Sequence, residues 1–307
     1  MGRRLDTSIL DPIRSKDEAH RARKLENIYH VGQDKIWDGR AVLAELQTTH
    51  GLEHLRGEKR EAVAHVFSGL MWGELAAWKI SAQLADRIDD LGAKMATTSQ
   101  VHDEARHFYV LHDYLTALDG GPRPLDRGTR GLIETVLGAE ALPQKIAGMQ
   151  LFIESIALTM FKAVREAELC PVLSQILLLF ERDEARHVGL GVQYLPMLMK
   201  DATKLDRVQL DAFQLRILMW ALVGLKQNER HLAALGIDPR KVVLAGRRRM
   251  VETQQMLTQA SGRHFKEIAG PAVMRLFDAA RTLAFPESDR LPDRVVSAGR
   301  ALLGIYA

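Results

Sequence analysis

Asp103-Glu104-Ala105-Arg106-His107 and Asp183-Glu184-Ala185-Arg186-His187 spell the same five residues, 80 positions apart. In each copy a glutamate and a histidine stand at i and i+3, on one face of a helix. A carboxylate and an imidazole side by side can share one metal ion, and two such helices facing each other can hold two. Glu74 precedes Glu104 by 30 residues, and Glu154 precedes Glu184 by the same 30. Each lies in an apolar stretch, Gly69-Leu-Met-Trp-Gly-Glu74-Leu-Ala-Ala-Trp78 and Gln150-Leu-Phe-Ile-Glu154-Ser-Ile-Ala-Leu-Thr159. A carboxylate centred on an apolar face is costly unless a cation compensates it. One Glu-x-x-His is ordinarily an exposed helical pair. Two copies with matched upstream glutamates point instead to a metal centre of Glu74, Glu104, His107, Glu154, Glu184 and His187, the four glutamates being the candidate catalytic groups.

The bulk composition narrows the class. Of 307 residues, 47% are hydrophobic, ample for a large core, and the net charge is only +3. No uninterrupted run of eighteen apolar residues occurs, so no membrane span is expected. Met1–Thr7 has no apolar segment of the signal-peptide kind, and Asp6 stands at the position where myristoylation needs Ser or Thr. The single cysteine, Cys170, excludes an internal disulfide and suits a reducing cytoplasm; beside Pro171 it reads as a small buried side chain rather than a thiol nucleophile. Gly246-Arg-Arg-Arg249 is the densest basic run. It reads as a solvated helix face, or else as a docking patch for an acidic redox or carrier protein. With no aromatic residues interleaved, nucleic acid is not an expected partner.

Helical periodicity runs through the chain, and no alternating strand pattern is present. Residues 1–15 look irregular, and charged helices are expected over 16–30 and 37–48, separated by Gly32. The first bundle helix should span about 58–90, with Val63, Phe67, Leu70, Met71, Glu74, Trp78 and Ala82 on one stripe. The second should span about 94–118, ended by Gly120-Gly121-Pro122. A third starts near Thr129, with Pro143 kinking or dividing it, and runs to Leu169. Pro171 opens the fourth, which reaches Pro196. Thr203-Lys-Leu-Asp206 resembles a capping box for a helix through Leu235, Gly236 stops it, and Asp238-Pro239 starts the next, to about Ala260. Two short helices should close the chain. The expectation is one all-α domain over 1–307, with a metal-binding four-helix bundle at about 58–200 and accessory helices at 16–48 and 203–307.

Over about 58–200, Gly73-Glu74-Leu-Ala, His102-Asp-Glu-Ala-Arg-His107, Phe152-Ile-Glu154-Ser and Asp183-Glu-Ala-Arg-His-Val-Gly-Leu-Gly191 resemble the metal segments of the ferritin-like di-iron carboxylate proteins. Within that group they are most similar to the ribonucleotide reductase small subunit and the small-subunit-like ligand-binding oxidases. The Asp-Glu-x-Arg-His form is also similar to that of multicomponent monooxygenases and acyl-carrier-protein desaturases. The resemblance implies a four-helix bundle and an oxygen-activating metal pair. The departures are specific. Leu111 stands where the reductase subunit has its radical tyrosine. Met149 and Ala76 stand where the ligand-binding oxidases form their tyrosine–valine cross-link. Leu158 replaces the monooxygenase threonine, with Thr159 adjacent, and Phe180 replaces the extra histidine of certain N-oxygenases.

Iron suits mixed carboxylate and imidazole ligands, and manganese could replace one iron. Glu74 with His107 and Glu154 with His187 are assigned as terminal pairs, and Glu104 and Glu184 as bridges. Because the two Glu-x-x-His helices face each other antiparallel, Asp183 should accept from His107 and Asp103 from His187, the crossed pairing that the resemblance also implies. Arg106 and Arg186 should pair with those aspartates or with helix ends. The substrate pocket is expected among residues one turn from the ligands: Leu70, Met71, Ala77, Trp78, Phe108, Leu111, Gln150, Leu151, Leu158, Phe180 and Val188. Their apolar character favours a hydrophobic small molecule or acyl chain. Trp72 and Trp78 read as core or as electron relays. The histidines outside the two pentamers, His20 and His264 among them, have no ligand-spaced partner. The expected function is a dioxygen-activating di-iron oxidase or oxygenase, cytoplasmic and homodimeric, served by an external ferredoxin- or flavin-type donor. The alternative is a ferritin-like ferroxidase, against which the C-terminal helices count, since an iron store needs no such extension.

Overall fold

The computed structural model describes residues 23–261 and 268–305; the reading of residues 1–22 and of His264 lies outside them. Within the described residues the elements are α1 (Arg23–Asp34), α2 (Gly39–His50), α3 (Gly57–Arg87), α4 (Leu91–Asp119), α5 (Arg127–Leu137), α6 (Leu142–Ile146), a π-helical stretch (Ala147–Ile153), α7 (Glu154–Glu166), α8 (Pro171–Leu198), α9 (Lys204–Gln227), α10 (Glu229–Ala234), α11 (Pro239–Ser261), α12 (Pro271–Ala284) and α13 (Leu291–Leu303). No strand occurs among them.

The sequence places the ends. Asp90 caps α4 by accepting from the Ala93 amide, and Gly120, at φ 76°, closes it in the left-handed conformation that a glycine adopts without a Cβ penalty. Asp126 caps α5 and Asp38 caps α2 in the same way. The capping box at Thr203 and Asp206 is complete in both directions. Three expectations need correction. Gly32 does not separate helices: it lies inside α1, where a Cβ would stand 2.3 Å from Ser99 Oγ of α4, so close helix approach is the reason for the glycine. The helix after Thr203 does not reach Leu235. It stops at Asn228, whose side-chain amide donates to the Gly224 carbonyl and to Asp126. The third helix is divided more than a kink at Pro143 implies, into α5, α6, the π-helical stretch and α7.

The helices α3 and α4 pair along their length, and the π-helical stretch with α7 packs on α8. These two hairpins make the bundle. Helices α1 and α2 lie across α4 and α8, while α5 and α9 to α12 cover the opposite side. Burial divides the bundle lengthwise. One apolar cluster holds Leu43, Val63, Phe67, Met71, Leu111, Leu115, Ile176 and Phe180, and a second holds Ala77, Ile80, Ala93, Met149, Leu151, Val188 and Leu195. The six metal-ligand candidates occupy the layer between them. Two stretches, Leu142–Glu166 and Lys204–Gln227, are long and apolar enough to cross a membrane by length and composition. The first is apolar because it is bundle interior; the second is mostly unburied within this chain.

Candidate metal centre

Each glutamate in this layer is brought in by a different helix: Glu74 by α3, Glu104 by α4, Glu154 by the first turn of α7 and Glu184 by α8. His107 and His187 follow one turn after Glu104 and Glu184. All six are buried, none more than 4% exposed. They form two groups whose candidate ligand atoms lie within 4.8 Å of one another: Glu74, Glu104, His107 and Glu184, and Glu104, Glu154, Glu184 and His187. Glu104 and Glu184 belong to both, the positions a bridging carboxylate must occupy.

The ring orientations agree with that geometry. His107 Nδ1 lies 3.0 Å from Glu184 Oε1, 3.5 Å from Glu74 and 3.8 Å from Glu104. His187 Nδ1 lies 2.7 Å from Glu184, 3.2 Å from Glu104 and 3.4 Å from Glu154. The other nitrogens face outward and cross: His107 Nε2 is 3.3 Å from Asp183, and His187 Nε2 is 3.3 Å from Asp103. Around them Arg106 donates to Asp103 at 2.5 Å and Asp183 at 2.9 Å, and Arg186 donates to Asp183 at 2.8 Å and Asp103 at 2.9 Å. This outer ring of two aspartates and two arginines is electrically balanced and nearly sealed from solvent.

The inner layer is not balanced. Four glutamates meet at a point where two divalent cations would neutralise them. Burial pushes the Glu74 carboxyl well above the usual carboxylate range, with Glu184 and Glu104 adding to it and His107 opposing. Glu154 is raised likewise by burial, then by Glu184 and Glu104. Glu184 is held low: burial opposes its charge, but His187 and His107 outweigh that. Burial disfavours both imidazolium forms, yet Asp183, Glu184 and Glu74 lift His107 well above the ordinary imidazole value, and Glu104, Glu184 and Asp103 do the same for His187. Asp183 and Asp103 are depressed, because their histidine partners outweigh burial. Glu104 Oε2, His107 Nδ1 and Glu184 Oε1 are fully buried and make no well-aligned hydrogen bond, although His107 Nδ1 and Glu184 Oε1 lie 3.0 Å apart as an ion pair. Orphaned donors and acceptors converging on one space are what a metal pair would satisfy, so the residues fit the group.

Sequence reading missed two neighbours. Trp37 precedes α2, yet its Nε1 donates to Asp183 at 2.8 Å, its ring lies near His107, and Arg106 stands 4.8 Å from its centroid. No local spacing marks such a contact from 146 residues away. Gln100 donates to Glu104 at 2.9 Å and to Glu154 at 2.6 Å. Its position one turn before Glu104 was a usable signal.

A cavity of about 220 Å³ opens beside the layer, walled by Glu74 and Glu154 and otherwise mainly by apolar side chains of α3, α5, the π-helical stretch, α7, α9 and α11. Of the expected pocket residues, Leu70, Ala77 and Leu151 line it. The rest do not, for identifiable reasons. Met71, Leu111 and Leu158 are core. Phe180 stacks on His107 at 3.9 Å between ring centroids, and Gln150 bonds Gln100. Trp78 is 38% exposed on the outer face of α3, near Phe108. Val188 sits on α8 in the second apolar cluster. The cavity lies on the Glu74–Glu154 side, so α4 and α8 contribute nothing. The Trp72 indole donates to the Arg123 carbonyl, in the connection between α4 and α5. Nor is Arg247 part of a solvated face: it binds the buried Asp278 through two nitrogens and reaches the cavity wall.

No family model matches the chain, and no curated protein matches it in sequence. Solved structures do match. A single-residue variant of an R2-like ligand-binding oxidase with an aerobically reconstituted Mn/Fe cofactor is 17% identical, with TM-score 0.60 over 76% of this chain and 93% of that one. Another variant of the same oxidase aligns over 92% of this chain and 93% of that one, at 15% identity and TM-score 0.51. A protein with aldehyde deformylating oxidase activity from Synechococcus is 14% identical, with TM-score 0.50 over 82% of this chain and 99% of that one. At such identities the likeness is one of fold, and it shows the chain to be a ferritin-like four-helix bundle carrying additional helices at both ends.

Proposed function

We propose that this chain is a dioxygen-dependent oxidase or oxygenase with a two-metal centre, of iron or of manganese and iron, acting on a small hydrophobic substrate. The observation that carries the reading is the junction of a buried two-group ligand layer with an apolar cavity, Glu74 and Glu154 belonging to both. The oxidase names of the structurally similar proteins point the same way. Glu74 and His107 would hold one ion, Glu154 and His187 the other, and Glu104 and Glu184 both. When bound, two reduced ions would supply two electrons to dioxygen. Asp183 and Asp103 keep each Nε2 engaged, so that each Nδ1 faces the metals. Leu70, Ala77 and Leu151 exclude water and would hold an apolar substrate against the Glu74 side.

A centre with only two electrons needs an external ferredoxin- or flavin-type donor to turn over. The lone buried cysteine suits a cytoplasmic setting. The largely unburied apolar helix α9 gives a homodimer a surface to form on.

The test is a titration of anaerobic protein with ferrous iron while dioxygen consumption is followed. Saturation near two irons per chain supports the enzyme. Continued iron oxidation with mineral formation would establish an iron store instead.

A further inference from the structure

The two halves of the centre carry the same ligands, but the residues one turn before those ligands differ. Gln100 and Phe180 each stand four positions before the glutamate of a Glu-x-x-His pair, and Gln150 and Leu70 each stand four before an outer glutamate. The 80-residue repeat therefore exchanges two amides at one half for two apolar side chains at the other. Gln100, 1% exposed, donates from one Nε2 to both Glu104 and Glu154. Its carbonyl accepts from Gln150 Nε2 at 2.8 Å. The carboxylates fix which end of the Gln100 amide faces them, since a reversed amide would set its oxygen against theirs, and Gln150 satisfies the oxygen that then points away. At the other half, Phe180 stacks on the His107 ring and offers no donor, and Leu70 lines the cavity. Glu74 keeps only its approach to His107.

We infer that Gln100, held by Gln150, is a positioning residue that makes the two metal positions unequal. It tethers the Glu154 carboxylate before metal arrives, so the Glu154–His187 position is the retentive one. The Glu74–His107 position, whose outer glutamate has no such amide tether, is the one whose metal exchanges. A tethered ligand loses less freedom on binding, and outer partners of metal ligands carry much of a site's affinity. The inference rests on the metal-centre reading above but not on the oxidase reaction.

The experiment measures Co(II) affinity by competition with a chromogenic chelator, in two backgrounds that each keep one terminal histidine. In His107→Ala, which retains the Glu154–His187 position, adding Gln100→Leu should weaken Co(II) binding about tenfold or more. In His187→Ala the same change should cost less than about threefold. Gln150→Leu should reproduce the contrast with smaller amplitude, and it decides the matter if Gln100→Leu does not fold, as judged by circular dichroism. Equal losses in both backgrounds, or no loss in either, would overturn the inference while leaving the metal centre intact. Failure of the unsubstituted protein to take up any Co(II) would remove the metal-centre reading itself, and this inference with it.

Discussion

The two hairpins that build the centre keep one spacing from each outer glutamate onward and part in backbone form before it. Beyond Glu74, α3 ends at Arg87, three residues turn, and α4 leads to Glu104; beyond Glu154, α7 ends at Glu166, four residues turn, and α8 leads to Glu184. The turns use different chemistry, an Asp90 side-chain cap in one and Pro171 at the first helical position in the other, yet the spacing is conserved at thirty. Upstream the symmetry is gone. Helix α3 runs unbroken from Gly57 through Glu74, whereas Glu154 follows Pro143 and a π-helical stretch. The internal repeat holds where four carboxylates need registration, and lapses where the backbone shapes access. A π-helical turn rotates the residues before Glu154 and brings Leu151 to the cavity while Gln150 turns inward to Gln100.

The largest effect should separate shared ligands from unshared ones. Glu104→Ala or Glu184→Ala removes a member of both groups and should drop metal content from near two per chain to near zero, with helix content largely kept. Glu74→Ala or Glu154→Ala should leave about one metal, because each belongs to a single group. Elemental analysis after anaerobic reconstitution reads the difference. Equal metal content in all four variants would contradict the assignment of Glu104 and Glu184 as bridges.

Next in size is the outer ring. Asp103 and Asp183 look equivalent in sequence, but Asp183 also accepts from Trp37 and interacts with Arg182. Breaking a buried charge cluster by removing one partner costs about 3–5 kcal/mol. Asp183→Asn should stand at the upper end of that range and Asp103→Asn lower, measured by denaturant unfolding of metal-free protein. A larger loss for Asp103→Asn would mean that Trp37 adds nothing.

The sequence made the ligand layer legible because the ligands are local: a helix face needs only spacing, and Glu74, Glu104, His107 and their counterparts declare themselves at i+3 and at 30 residues. Arg106 and Arg186 were readable too, being one turn from aspartates they bind. The cavity was less legible. Proximity to a ligand along a helix does not imply proximity to the pocket: Phe108, Leu111 and Val188 belong to α4 and α8, which contribute nothing to the cavity wall. Which side α9 and α11 cover is decided by long-range packing that no local periodicity encodes. Trp37 was hidden for the same reason. The π-helical stretch has no composition of its own, since Ala-Gly-Met-Gln-Leu-Phe-Ile reads as an ordinary apolar helix segment.

A smaller effect concerns protons. Burial and neighbouring carboxylates raise Glu74 and Glu154, and the facing carboxylates raise His107 and His187, so protons compete with metal for this centre. The sign follows: raising pH removes the competing protons, so apparent metal affinity should climb with pH, the histidine part of the climb lying above the ordinary imidazole value of 6.5. Glu184, held low by the two histidines, contributes none of this. Calorimetric titration with Co(II) in two buffers of different ionisation enthalpy counts the protons released. An affinity indifferent to pH, with no proton release, would show that the centre is already deprotonated.

The smallest effect on the centre should come from the cavity wall, and its sign is the informative part. Gly69 and Gly73 lie one turn apart within α3, line the cavity, and would meet nothing within 4 Å if each carried a Cβ. Glycine inside a helix costs roughly 0.5–1 kcal/mol relative to alanine. Neither residue is needed for close packing or for a positive φ, so these two positions keep the cavity open at the expense of helix stability. Gly73→Leu should therefore stabilise the fold slightly, by up to about 1 kcal/mol, and leave metal content near two per chain. Its side chain would occupy part of the space of about 220 Å³ beside Glu74. Displacing two methylenes' worth of apolar contact should weaken binding of an anilinonaphthalene dye about tenfold. A Gly73→Leu protein that loses metal would mean that the cavity and the centre are not separable. One that gains stability and still binds the dye unchanged would mean that apolar ligands do not enter beside Glu74.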